Sequence, residues 1–237
     1  MGQAYKAISV IGWIATVLLV GCRTAETQYT IERRFQQGER WRYTIVQTVD
    51  LPPRQATVEL TITDTVLEVH SDGTATVERI VHGSPDQLKT LRESLAPLVV
   101  LEPKTRWKVS PRGKETLLQG EGALLTSVPY AYPDRPVQPG AQWGILDGIG
   151  SLQTRYMSRF EGVIELEGVP CYKIRTQAEP LPDSLPAMTG EIVVHLDRRT
   201  GWTRHIEGTL KMQAGELSGT VYLKMHGLPE PSASEGK

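Results

Sequence analysis

Trp41-Arg42-Tyr43-Thr44-Ile45 and Thr57-Val58-Glu59-Leu60-Thr61-Ile62-Thr63 carry apolar side chains at every second position. Successive side chains of a strand point to opposite faces, so a period of two means one buried face and one wet face. Val49 continues the first run, with Thr48 on its polar side. A helix would space its apolar residues three and four apart, so these two stretches decide the fold as β. Beyond Ile62 the apolar parity changes to Leu67 and Val69, which predicts a bulge or kink near Val66. Ser71-Asp72-Gly73 has hairpin-turn chemistry, and residues 74–81 return as a strand. Further turns fall at Ser110-Pro111-Arg112-Gly113, Glu167-Gly168 and Asp197-Arg198-Arg199-Thr200-Gly201. Strand-like runs over 191–196, 202–212 and 217–225 complete an antiparallel meander.

One stretch breaks the period. Ser84-Pro85-Asp86-Gln87 offers an N-cap, a proline at the first helical position, an early acid and a Gln where a capping box wants it. Leu88, Leu91 and Leu95 follow at helical spacing, Leu98 extends the stripe, and Pro97 ends or kinks the helix. The expected fold is therefore mainly β: a large curved antiparallel sheet with one amphipathic helix packed on it. Gln37-Gly38-Glu39-Arg40-Trp41 and Pro139-Gly140-Ala141-Gln142-Trp143 each open a strand set, an echo that leaves duplication into halves 31–139 and 140–226 open beside coincidence. Between them runs a proline-stiffened crossing over residues 128–140.

The front of the chain has its own logic. Lys6 is the one charged side chain among the first 21 residues, and residues 7–20 are apolar except for Ser9 and Thr16. This is the n-region and h-region of an export signal, too short for the ~20 apolar residues that span a bilayer. Leu19-Val20-Gly21-Cys22 resembles the lipobox of bacterial lipoproteins. That resemblance implies diacylglycerol on the Cys22 sulfur, cleavage before Cys22, and residence on the outer side of the cytoplasmic membrane or, with Arg23 rather than Asp following, at the outer membrane of a Gram-negative cell. Two or more acyl chains hold a protein firmly to a bilayer. The expected organisation is signal peptide 1–21, lipidated tether 22–30, β-rich domain 31–226 and a solvated tail 227–237; removing 21 of 237 residues leaves 216.

Composition excludes more than it assigns. With 26 basic and 27 acidic side chains the chain lacks the basic excess that nucleic acid or anionic lipid would select. Of its two cysteines, Cys22 is assigned to lipid, which leaves Cys171 as a free thiol with a packing role. His70, His82, His195, His205 and His226 lack the short spacing of a zinc site, and His195, between apolar neighbours on an expected strand, reads as a hydrogen-bonded structural histidine. Glu165 and Glu167 read as a solvated face beside a turn. No catalytic motif, cofactor loop or metal motif is present, so no cofactor is expected.

Trp41, Trp107, Trp143 and Trp202 are core candidates, and Tyr130 and Tyr132 anchor the stiff crossing more plausibly than they bind a ligand. The segments Pro133-Asp134-Arg135-Pro136-Val137-Gln138-Pro139-Gly140-Ala141-Gln142-Trp143, Gly168-Val169-Pro170-Cys171-Tyr172-Lys173-Ile174 and Asp197-Arg198-Arg199-Thr200-Gly201-Trp202 resemble uncharacterised β-rich bacterial envelope lipoproteins. That resemblance brings no activity; a sheet with one helix is also similar in architecture to envelope lipoprotein carriers. The expectation is a non-catalytic lipoprotein holding a hydrophobic or amphiphilic ligand, such as lipid, between the sheet and the helix around residues 88–95. The alternative is a structural or interaction component that meets another envelope protein. An enzyme comes third.

Overall fold

The computed structural model describes residues 27–52, 54–83, 100–120, 122–123, 132–149, 152–181, 187–214 and 217–230. Among them are thirteen strands: β1 (Arg40–Leu51), β2 (Arg54–Val69), β3 (Ala75–His82), β4 (Val100–Leu101), β5 (Lys104–Val109), β6 (Glu115–Gln119), β7 (Gly122–Ala123), β8 (Gln142–Ile149), β9 (Leu152–Leu166), β10 (Val169–Pro180), β11 (Ala187–Asp197), β12 (Thr203–Ala214) and β13 (Leu217–Glu230). Eleven of these form one antiparallel sheet in the order β6-β5-β3-β2-β1-β13-β12-β11-β10-β9-β8, while β4 and β7 pair separately. The sheet is open, with β6 and β8 as its edges. The helix expected from Ser84 through Leu95 and Leu98 lies outside the described residues, as does Cys22.

The two stretches that decided the fold pair with each other, Tyr43 opposite Ile62 and Ile45 opposite Leu60. The parity change in β2 is a register slip against β3 between Val66 and Glu68. Glu167 and Gly168, at φ 52° and 78°, make the two-residue link from β9 to β10. Positive φ at both central positions is the type I′ signature, whose twist matches the strands it joins.

The sheet is strongly curled. Glu115 on β6 and Thr203 beginning β12 line one small hollow, together with Arg79, Tyr43 and Met225. Six strand intervals separate β6 from β12, which would put them about 29 Å apart in a flat sheet at ~4.8 Å per interval. The inner face therefore wraps around on itself.

Residues 27–39 and 132–139 fill the lower part of that curl. Tyr29 and Val137 exchange backbone hydrogen bonds at 2.8 and 2.9 Å, Arg33 N–H donates to Pro111 O, and Arg34 N–H donates to Thr200 O. Ile31 is 2% exposed. Tyr29 packs edge-on to Phe160 and Tyr172. Two boundaries expected from sequence move as a result. The tether assigned to 22–30 gives up Tyr29, whose backbone and ring are already bound into the body. The tail assigned to 227–237 gives up residues 227–230, which pair with β1. Gly227 permits this: a Cβ there would meet Thr203 O at 2.3 Å and the Tyr43 ring at 2.7 Å.

Trp41 and Trp202, both fully buried, stack at 5.7 Å and 16°. Glu39 bridges them, accepting from the Trp41 indole N–H at 3.0 Å and the Trp202 N–H at 3.2 Å. Arg204 and Arg33 lie over the two rings. A stacked aromatic pair is worth ~0.5–1.5 kcal/mol beyond the area it buries.

The two Gly-x-x-Trp segments adopt one conformation. Gly38 has φ 80° and Gly140 φ 91°. Glu39 N–H donates to Gln36 O, and Ala141 N–H to Gln138 O. Gly38 N–H then bonds Val66 O while Val66 N–H returns to Glu39 O, and Gly140 N–H bonds Phe160 O while Phe160 N–H returns to Ala141 O.

Candidate functional site

Residues directly opposite on paired strands share a face, so the register maps the inner surface row by row. One row runs Ile145 to Tyr156, Tyr156 to Ala178, Ala178 to Gly190, Gly190 to Leu210, Leu210 to Val221 and Val221 to Val49. Every member is apolar or glycine except for the Tyr156 hydroxyl, and that hydroxyl contacts Met188 Sδ at 3.6 Å. The row crosses seven strands, about 29 Å along the sheet before curling. The row beneath it is mixed, with Trp143, Ile192 and Leu223 beside Ser158 and Thr176, whose hydroxyls bond each other at 2.8 Å.

Burial divides this face in two. The lower half, under residues 27–39 and 132–139, is closed: Phe160, Ile174, Val194, Leu196 and Ile206 are all at 0% exposure. Along the upper rows Ile145, Tyr156, Leu210, Val221, Leu223 and Trp143 pack against the core yet stay only partly buried. A contiguous apolar surface left half-open is where a protein meets something apolar.

Next to it, still inside the curl, lies a charged cluster. Arg79 reaches Asp64 with two hydrogen bonds, at 2.7 and 2.8 Å, and Glu115 at 3.3 Å. Arg33 also reaches Glu115, at 3.4 Å, and its Nε donates to the Tyr132 hydroxyl at 2.8 Å. Two cations thus meet two anions, Arg79 and Asp64 buried and the Arg33 and Glu115 side chains 10% and 5% exposed. Burial by itself would raise the Glu115 carboxyl, but Arg79 and Arg33 outweigh it and hold the group below the usual range. Burial, and then Asp64, push the Tyr43 phenol well up. The hollow these groups surround measures about 20 Å³, room for roughly one water. It is too small for an acyl chain. The arrangement is a clasp: it joins β2, β3 and β6 to the segment that begins at Tyr29.

The other residues singled out from sequence are distributed as follows. Tyr132 is 5% exposed and its hydroxyl donates to Gly201 O at 2.8 Å, so it anchors the crossing; Tyr130 lies outside the described residues. Trp107 is buried and Trp143 partly so. Cys171 is fully buried and free. Glu165 and Glu167 are exposed at the β9–β10 turn. His70 bonds the Thr76 hydroxyl at 2.9 Å and His82 the Thr63 hydroxyl at 3.0 Å. His195, His205 and His226 are brought together on neighbouring strands. His195, read from sequence as hydrogen-bonded, keeps a buried Nδ1 with no hydrogen-bond partner. Among the described residues no group of three or more His, Cys, Asp and Glu side chains is assembled to hold a metal ion.

The apolar row escaped sequence reading because it belongs to no single strand; it exists only once the register is known. The clasp left a trace: Asp64 and Arg79 stand at inward-facing positions of their alternating runs, opposite charges where apolar residues belong.

No family model matches the sequence, and no curated protein matches it. Among solved structures, similarity is found to a DUF1329 family protein from Desulfovibrio piger, at 8% identity over 78% of this chain and 83% of that one, TM-score 0.22. A candidate outer membrane lipoprotein-sorting protein domain from Vibrio parahaemolyticus matches at 10% identity over 83% and 88%, TM-score 0.25. A LolA superfamily protein from Nitrosomonas europaea matches at 8% identity over 83% and 89%, TM-score 0.23. At TM-scores of this size nothing about the chemistry of this chain follows from them.

Proposed function

We propose that this chain is a lipid-anchored, non-catalytic protein of the bacterial envelope that holds an amphiphilic, acyl-bearing ligand along the upper inner face of its sheet. The observation that carries the reading is the apolar row from Ile145 through Leu210 and Val221 to Val49, left partly open at Ile145, Tyr156, Leu210 and Val221. An apolar band one residue deep and seven strands long suits an extended hydrocarbon chain, at ~0.8 kcal/mol for each methylene taken out of water. The clasp of Arg33, Arg79, Asp64 and Glu115 keeps the curl rigid below it. Anchorage rests on Cys22 and its lipobox-like setting, and Tyr29 begins the packed body a few residues later, so the sheet stays near the membrane it would exchange lipid with.

The test uses full-length protein extracted in mild detergent. Native mass spectrometry should find co-purifying lipid, and a fluorescent fatty acid should bind. Leu210→Lys and Val221→Lys should weaken that binding at least tenfold, with Tyr222→Lys, on the opposite face, as control. Absence of bound lipid together with probe uptake unchanged by both inner-face variants would overturn the reading. Labelled palmitate should appear on the chain and vanish in Cys22→Ser.

A second reading is favoured by the sheet edges. Leu118 on β6 and Leu146 on β8 are both 54% exposed, and an open edge strand can take another strand. Site-specific crosslinkers at these two positions would capture an envelope protein in cells if the edges serve as a docking surface; capture equal to that from a mid-sheet position would count against it.

A further inference from the structure

The outer face carries a feature unrelated to the apolar row. His195 of β11 stands directly opposite His205 of β12, which stands directly opposite His226 of β13. The ring centres are 5.8 Å apart in the first pair and 6.4 Å in the second. Three groups that gain charge on mild acidification thus lie side by side across three strands. Their surroundings differ. His226 has Glu167 of the β9–β10 turn at 3.8 Å, and His205 has Glu207 of its own strand at 3.6 Å. Lys224 of β13 stands opposite Glu207, and on β1 the uncharged Thr44 stands opposite His226. His195 faces a cation instead, Lys173 of β10. That ammonium is 2.9 Å from Glu161 of β9, and Arg175, further along β10, pairs with Glu161 and Glu191. His195 is 7% exposed, and its Nδ1 has no hydrogen-bond partner.

We propose that this ladder is a pH-sensitive latch: neutral rings hold the β11–β12 turn closed, and protonated rings loosen it together with residues 32–34 seated on it. Protonated His205 and His226 each have a carboxylate close by to offset the charge. A proton on His195 would place a buried cation between Lys173 and a cationic His205. It would also make both ring nitrogens donors, and Nδ1 has no acceptor. Burial first, then His205 and Lys173, accordingly hold His195 below its ordinary pKa, against the lesser pull of Glu207 and Glu161. An opened or unfolded chain, with the ordinary value of ~6.5, binds that proton more readily. The closed turn is therefore fully held above about pH 6.5 and loses ground as the pH falls from there toward the folded value. The turn lies directly below the ladder. Asp197 N–H donates to Trp202 O and Gly201 N–H to Asp197 O, while Thr200 O accepts from Arg34 N–H. Gly201 O accepts from the Tyr132 hydroxyl. The register slip between His195 and Leu196 already interrupts the strand pairing at this point, which makes it the place to open.

The latch needs neither lipid nor the apolar row, so its test is independent of the lipid reading. Full-length protein in mild detergent is compared at pH 7.5 and pH 5.5, a span in which histidines titrate and ordinary carboxylates do not. Amide hydrogen exchange, corrected for its intrinsic pH dependence, should show the Asp197, Gly201 and Arg34 amides opening about fivefold or more as often at pH 5.5. Amides in the middle of β1 and β2 should open equally at both values. His195→Gln should abolish the difference, His205→Gln should reduce it, and His70→Gln, remote from the ladder, should keep it. Lys173→Met, at a side chain 30% exposed, guards against a His195 variant that fails to fold and should also reduce the difference, since it removes the opposing cation. Ring titration followed by nuclear magnetic resonance should place His195 below the ordinary 6.5. Equal opening of the parent at both pH values, a difference that survives both His205→Gln and Lys173→Met, or opening spread evenly over the sheet would overturn the proposal.

Discussion

The guanidinium of Arg79 grips the Asp64 carboxylate at two points, Nε to Oδ1 at 2.7 Å and Nη2 to Oδ2 at 2.8 Å, with the side chains 6% and 2% exposed. Removing one member of such a pair leaves the other charge buried without compensation, which costs ~3–5 kcal/mol. Arg79→Met, which orphans Asp64, should lower the free energy of unfolding by about that amount in urea titrations, and Asp64→Asn, which leaves Arg79 its contact with Glu115, should lower it by less. The double variant should lose clearly less than the two single losses together, since the orphaned charge is then gone. Additive losses would mean that the two residues act separately.

Glu115 gives the clasp a pH dependence of known sign. Its folded pKa lies below the unfolded glutamate value of ~4.3 because Arg79 and Arg33 outweigh burial. The unfolded state therefore binds the proton more readily, and stability falls on acidification. The contribution is complete above about pH 4.3 and drains away as the pH drops through the folded value. Glu115→Gln should be less stable than the parent at pH 7, and its stability should change less between pH 5 and pH 3 in parallel urea titrations.

How far the sequence disclosed this architecture depended on which interaction set each feature. Alternation at Trp41-Tyr43-Ile45 and Val58-Leu60-Ile62 fixed strands and faces, because the period of two is a local property of the chain. Turns at Asp72-Gly73, Glu167-Gly168 and Thr200-Gly201 were legible from glycine, which alone adopts positive φ without strain. What joins distant strands was not legible. Residues 27–39 show no periodicity, since they are held by single backbone bonds to Pro111, Thr200 and Val137 rather than by a ladder. The pairing of β1 with β13 spans almost the whole described chain and has no local signature. The meeting of His195 with His205 was not legible either: the turn sets Leu196 opposite Thr203, and only a register slip between His195 and Leu196 brings the two histidines opposite each other.

Cys171 should be chemically quiet. It is fully buried, and burial, with Asp197 adding to it, pushes its thiol up to about 11. The thiolate is the reactive species, so near pH 8 only about one molecule in a thousand carries it. In a Cys22→Ser background, iodoacetamide at pH 8 should modify the native chain at least a hundredfold more slowly than the urea-unfolded chain. Comparable rates would mean that β10 and β11 open readily around it.

Gly201 and Gly140 separate backbone strain from lack of space. Both occupy the left-handed region, at φ 72° and 91°. A Cβ at Gly140 would meet nothing within 4 Å, whereas one at Gly201 would lie 1.9 Å from Glu32 O and 2.6 Å from its carbonyl carbon. Gly140→Ala therefore bears the conformational cost alone, about 1 kcal/mol. Gly201→Ala bears that cost and must also push residues 32–34 off the turn, breaking the bond from Arg34 N–H to Thr200 O and the seat of the Tyr132 hydroxyl on Gly201 O. Its loss should exceed that of Gly140→Ala by ~2 kcal/mol or more, the scale of one or two buried hydrogen bonds left unmade. Hydrogen exchange should locate the damage, with protection lost at the Tyr29 and Val137 amides in Gly201→Ala and kept in Gly140→Ala. Equal losses in the two variants would mean that the front segment does not depend on its seat against the β11–β12 turn.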